Sequence, residues 1–228
     1  CGVLGVALVL FVSTVPGFQH ARGDGEGLWW WDASRVIREN GWDFITEFPF
    51  FSFWLGDNHA HVLGLPVLIL AVAASTQVRR CRRITFSIAL PAGLALAWSL
   101  MINPWQAPTA LALAGVGVLG RKRFPSPAQW PYLAGGFALP ILLVLPMGPG
   151  LFQGISTDLA GHTNPREALR VFGWMAPGLL GGLLLPRSRW LGLLFLLCAG
   201  MFATCEVVRV VDAFQNRMNT VFKVYYQL

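Results

Sequence analysis

The sequence predicts an all-α fold: a polytopic transmembrane helical bundle of about seven spans in a single domain, residues 1–228. Three observations lead there. The 228-residue chain is 55% hydrophobic and only 12% charged, with a mean hydropathy of +0.56. A soluble domain carries about 25% charged residues. Apolar runs approaching the ~20 residues needed to cross a bilayer recur along the chain. The segments joining these runs alternate in charge.

Seven runs supply the expected spans in order. They are "CGVLGVALVLFVSTVPG", "HVLGLPVLILAVAAS", "ITFSIALPAGLALAWSLM", "APTALALAGVGVLG", "PYLAGGFALPILLVLPM", "VFGWMAPGLLGGLLLP" and "WLGLLFLLCAGMFATC". The first lacks a Met and a charged leader, so it reads as a span rather than a signal peptide. Gly and Pro inside the runs suit membrane helices, where neighbours can satisfy freed backbone groups. The start at Cys1 and the end in "KVYYQL" predict a piece of a longer protein.

The connecting segments set the expected orientation. "QVRRCRR", "RKRFPSPAQ" and "RSR" hold nine of the seventeen Lys and Arg and none of the eleven Asp and Glu. The positive-inside rule assigns them to the cytoplasm of a cell-membrane protein. Every carboxylate and histidine then falls in the extracytoplasmic loops. The net charge of +6 becomes a topology signal, and no nucleic-acid partner is expected. Four cysteines without a CxxC pair favour neither a disulfide framework nor a zinc knuckle.

The first outer loop, 19–61, contains "LWWWDASRVIRENGWDFITEFPFFSFWLGDNHAH". Trp29, Trp30 and Trp31 read as an interfacial aromatic belt. Phe48, Phe50, Phe51, Phe53 and Trp54 fit a short helix in the interface plane. Glu47, Asp57, His59 and His61 stand out against this apolar bulk. Asp57 and His61 are four apart and share a face if helical. If extended, Asp57, His59 and His61 point to one side. Either geometry allows a D-x-H-x-H site for a divalent metal, since imidazole and carboxylate suit zinc, manganese or iron. The alternative is a polar cap on the second span.

Residues 204–228 read as one polar-striped outer helix entering a further span. Asp212, Asn216, Asn219, Lys223 and Gln227 share its stripe, opposite Phe214, Met218, Val221, Phe222 and Tyr225. Such a stripe faces a polar cavity or other helices rather than lipid. Arg217 and Lys223 are candidate anion binders. Asn219 and Asp212 join them as substrate contacts. So do Arg35, in "WWDASRVI", and Trp105, in the turn "INPWQAP".

Three segments carry a family resemblance: "WWDASRVI", "ITEFPFFSFWLGDNHAHVLGLP" and "DAFQNRMNTVFKVYYQ". The chain resembles the multi-pass membrane proteins of bacteria and archaea named for a YYY motif, a domain of unknown function. The family has a Leu where this chain has Asn58. It also has an acid where this chain has Gln106, so the 103–106 turn lacks that carboxylate. The family is distantly similar to the type C glycosyltransferases, which take a sugar from a polyprenyl-phosphate donor on the outer membrane face. Their catalytic acid sits in the first outer loop, beside interfacial helices. That resemblance implies Asp57 or Glu47 as catalytic base, a lipid-linked sugar donor, and a phosphate neutralised by Arg217 and Lys223. Two alternatives stand beside it: a transporter or flippase for an anionic lipid or polymer, and a membrane metalloenzyme built on Asp57, His59 and His61.

Overall fold

The computed structural model describes residues 34–35, 37–147, 154–157, 161–184, 189–211 and 216–228. The first expected span, the Trp29–Trp31 belt and Asp212 lie outside the described residues. In chain order the elements are β1 (Ile37–Glu39), β2 (Trp42–Phe44), α1 (Pro49–Trp54), α2 (Ala60–Leu63), α3 (Leu65–Arg80), α4 (Phe86–Ile102), α5 (Ala107–Leu119), α6 (Trp130–Val144), β3 (Ile155–Ser156), α7 (Pro165–Phe172), α8 (Ala176–Leu184), α9 (Arg189–Cys205), β4 (Arg209–Val210) and α10 (Met218–Tyr225). Short 3-10 turns such as Pro104–Gln106 link several of them.

The chain is mostly helical, consistent with the all-α expectation, and two small antiparallel sheets accompany the helices. In the first, Ile37 pairs with Phe44 and Glu39 with Trp42. Asn40 and Gly41 turn between these strands with φ of 52° and 81°. Two consecutive positive-φ residues make a tight hairpin turn whose twist matches the strands, and Asn-Gly is the pair that adopts it most readily. In the second sheet, Ile155 pairs with Val210.

Helices form at the second through seventh expected spans, yet a count of seven crossings is not reproduced. Among the described residues, the helical stretch Ala60–Arg80, 21 residues with hydropathy 1.8, is long and apolar enough to cross a membrane. Phe86–Ile102 and Arg189–Cys205 are apolar but shorter. Seventeen residues rise about 26 Å against a hydrocarbon core of about 30 Å. Punctuation in the sequence sets these limits. Asn103-Pro104 ends α4, and Gly120 ends α5 after 13 residues.

The residues form two compact units. One takes in Leu63–Phe152 and Gly178–Ala199. Its core gathers Val67, Ala71, Ala95, Leu96, Ala110 and Leu113. Small residues let the helix backbones approach closely, which is how membrane helices gain packing without a hydrophobic drive. A Cβ on Gly93 of α4 would stand 2.0 Å from the Gly136 carbonyl oxygen of α6, and one on Gly117 of α5 would stand 2.7 Å from the Ser75 carbonyl oxygen of α3. At one end of this unit Arg121 donates to the Val78 carbonyl and to Cys81 Sγ. It thereby joins two of the basic segments and satisfies a carbonyl at the α3 C-terminus.

The other unit draws on Cys1–Val62, Gln153–Pro177 and Gly200–Leu228. Ile37, Phe44, Cys205, Met218, Val221 and Tyr225 form its core. Here the expected continuous helix over 204–228 is corrected. α9 ends at Cys205, the chain extends into β4, and among the described residues that follow, α10 begins at Met218. The β-branched residues Val207, Val208, Val210 and Val211 favour a pleated backbone. The Val211 N–H donates to Gly154 O at 2.8 Å, and the Val210 N–H to Thr220 Oγ1 at 2.9 Å. Asn216 then caps α10 by accepting the Met218 N–H.

Candidate functional site

The site grows from the end of α1. Pro49 starts this helix, and Phe48 and Phe51 bury against the unit while Phe53 and Trp54 stay exposed. Gly56, at φ 65°, ends it. The Asp57 N–H donates to Ser52 O at 2.9 Å and the Gly56 N–H to Phe53 O at 3.2 Å. That pair of reversed bonds around a left-handed glycine is the Schellman stop. It fixes where the Asp57 backbone leaves the helix. The Asp57 carboxylate then bends back on its own chain, with Oδ1 accepting the His59 N–H at 2.9 Å. This Asx turn leads into α2.

Asp57 presents different oxygens to two histidines. Its Oδ1 meets His59 Nδ1 in a short contact, while Oδ2 lies 3.5 Å from His61 Nε2. Glu47 has a matching arrangement. Its Oε2 is 3.8 Å from His61 Nε2, and its Oε1 is 3.6 Å from Arg35 Nη2. Glu47, Asp57 and His61 therefore converge, with one ligand atom from each lying within 4.8 Å of the others. His61 is 7% exposed at its side chain, and its Nε2 has no hydrogen-bond partner. The edges of Phe222 and Tyr226, with ring centroids at 4.6 and 4.5 Å, wall in its ring.

These surroundings push the two carboxyls apart. Burial raises the Glu47 carboxyl above the usual range; Arg35 opposes this and the Asp57 charge adds to it. Burial also pushes Asp57 up, but hydrogen bonds from the His59 backbone and ring outweigh it and hold the group below the usual range. A carboxylate only accepts, so His59 Nδ1 carries the hydrogen in its contact with Asp57. In the neutral imidazole with its hydrogen on Nδ1, the Nε2 lone pair sits on a side chain that is 79% exposed.

The expected site residues divide into separate groups. Glu47, Asp57, His59, His61 and Arg35 come together, joined by Phe222 of α10 and by Tyr226 just past its end. Lys223 lies within electrostatic reach of His61, with Asn219 one turn earlier on α10. The expected metal trio changes: Glu47 joins Asp57 and His61, while His59 sits behind Asp57. Trp105 belongs to the other unit.

Arg217 is the largest correction. It is 1% exposed, and its five N–H groups are committed. Nε donates to the Glu39 carboxylate at 3.0 Å, Nη1 to Cys205 O and Glu206 Oε1, and Nη2 to Glu39 Oε2 and Thr163 Oγ1. No donor remains for a phosphate. The anion-binding role expected of Arg217 goes with a continuous helix over 204–228, and β4 breaks that helix. Burial pushes Glu206 up, but hydrogen bonds from Thr163 and Arg217 prevail and hold it below the usual range. Sequence reasoning missed Glu39, Thr163 and Glu206. The legible signal for Glu39 is the adjoining Asn40-Gly41 turn, which forces a hairpin through it.

The chain matches the DUF2298 family, described as uncharacterized membrane proteins, over residues 4–134 and 137–228. No curated protein and no solved structure matches it.

Proposed function

The chain belongs to this family of uncharacterized membrane proteins, and from that premise we propose that it is a multi-pass glycosyltransferase using a polyprenyl-phosphate-linked sugar at the outer membrane face. The observation that carries the reading is the position of Asp57 and His59 directly ahead of the membrane-length helix Ala60–Arg80. Chemistry placed there works at the membrane boundary, where a lipid-linked phosphate resides. The exposed aromatic edge of α1, Phe53 and Trp54, suits the interfacial zone. The charge alternation of the joining segments supports an extracytoplasmic site.

In this reaction the acceptor hydroxyl gives its proton to His59 Nε2. Asp57 holds the imidazole in the required tautomer and stabilises the imidazolium that forms, as the acid does in an Asp-His pair. The acceptor oxygen bonds to the anomeric carbon, and the bond from that carbon to the phosphate oxygen breaks. The phosphate leaves with the electron pair. Lys223, near His61, supplies positive charge toward it.

The test is transfer from radiolabelled polyprenyl-phosphate sugars in proteoliposomes. His59→Ala should lower kcat by about 10²- to 10⁴-fold, the range for a general base, and Asp57→Asn should do the same. Transfer that survives both changes would overturn the assignment. Sugar crossing the bilayer with its phosphate bond intact would identify a transporter instead.

A further inference from the structure

We propose that Glu47, Asp57 and His61 form a divalent-cation site suited to Mn2+ or Zn2+. Glu47 Oε2, Asp57 Oδ2 and His61 Nε2 each provide one ligand. The two oxygens lie 3.8 and 3.5 Å from the nitrogen. Ligands at about 2.1 Å from a tetrahedral ion stand about 3.4 Å apart, so small side-chain adjustments close the set. Two carboxylates with one imidazole match first-row divalent ions better than the softer thiolate-seeking ones.

Two carboxylates close together do not by themselves make a site. The second observation is His61. Its Nε2 is buried, lacks a hydrogen-bond partner and points between the two acids. A buried nitrogen left without a partner is costly, and an ion between it and the acids would also relieve their mutual repulsion. The back of the cluster is built to match. Each carboxylate turns its remaining oxygen to an outer cationic or N–H group, Asp57 to His59 and Glu47 to Arg35. Such outer partners orient metal-binding carboxylates and raise their affinity. The Phe222 and Tyr226 edges fix the ring plane of His61. Resting on the transfer reading, the ion is the counter-charge for the departing lipid phosphate, a role that Arg217 cannot fill.

The test titrates the purified, EDTA-stripped chain with Mn2+ alone and follows loss of the free-ion EPR signal. The expected result is one saturable ion per chain, with affinity about tenfold or more lower in Glu47→Gln and in Asp57→Asn. His59→Ala should retain one ion at reduced affinity. No saturable binding by the unaltered chain up to about 1 mM would overturn the site. So would binding that Glu47→Gln and Asp57→Asn leave unchanged. A proton bridging His61 and the acids predicts the first of those results. The titration needs no donor lipid, so the two proposals fail separately. Binding without transfer sinks the reaction, and transfer without binding sinks the ion.

Discussion

Arg217 and Glu39, 178 positions apart in the chain, are joined by a forked ion pair in which Nε and Nη2 of the arginine both donate to one carboxylate. The pair ties the β1–β2 hairpin to the start of α10. Buried charges of this kind are held by their bonds, and removing one partner leaves the other uncompensated, at about 3–5 kcal/mol. Arg217→Lys preserves the charge but brings three donors in place of five and loses the planar fork. We expect a lower unfolding temperature in detergent for Arg217→Lys, and a larger drop for Arg217→Met. An anion-binding arginine behaves differently. Lysine would then substitute well, and Arg217→Met would leave the unfolding temperature level while raising donor KM.

Glu206 gives this network a pH dependence. Its carboxyl is held below the usual range in the folded protein. Its contribution is therefore complete above the unfolded value of about 4.3. It falls away as pH drops through that value and on toward the lower folded one. Unfolding midpoints followed from pH 6 downward to about pH 3 should show a steeper acid limb in the native sequence than in Glu206→Gln. Parallel acid limbs would mean that Glu206 is not coupled to folding.

Much of the candidate site is legible in the sequence because titratable groups stand out in apolar surroundings. Glu47, Asp57 and His61 need no fold information to be noticed. Their exact partnership does need it. Spacing alone groups His59 with His61, but the Asx turn at Asp57 turns His59 to the acid's Oδ1, and Glu47, ten positions before Asp57, approaches His61 instead. Residues 205–227 mislead for a related reason. Polar residues at spacings of three and four imitate a helix, while the valine run inside them has a sheet partner at 155–156 that lies too far away in sequence to see. Apolar runs predict helices well because composition decides that locally. They predict crossings less well, since helix length depends on where each Pro or Gly stops the turn.

Gly93 and Gly136 mark a close crossing of α4 and α6 in the helical unit. Added methyl groups here meet backbone or a rigid Ala89 rather than a side chain that can swing away. Overpacking of this type costs about 1–3 kcal/mol. Gly93→Ala should lower the unfolding temperature despite alanine's better helix propensity. Gly115→Ala, where nothing lies within 4 Å, should leave it unchanged or raise it slightly. Equal responses at the two positions would show that α4 and α6 do not meet through these glycines.

Gly56 allows the position of Asp57 to be tested without touching any proposed ligand. Nothing lies within 4 Å of a Cβ built on it, so space is open, but its φ of 65° disfavours any L side chain. Alanine in this left-handed conformation costs about 1 kcal/mol. The helix end can relieve that strain only by giving up the bonds from the Gly56 and Asp57 N–H groups. Asp57 then leaves its place opposite His61, and a misplacement of about 1 Å can reduce a reaction by about a hundredfold. Gly56→Ala is therefore expected to weaken Mn2+ binding and to lower kcat together, with a fall in unfolding temperature no greater than that strain implies. Gly56→Asn, which tolerates the left-handed region better than alanine, should restore part of both. The rescue is the informative result. If asparagine is no better than alanine, the Schellman turn is not what places the carboxylate. If both variants keep full binding and turnover, Asp57 is positioned by its histidines alone.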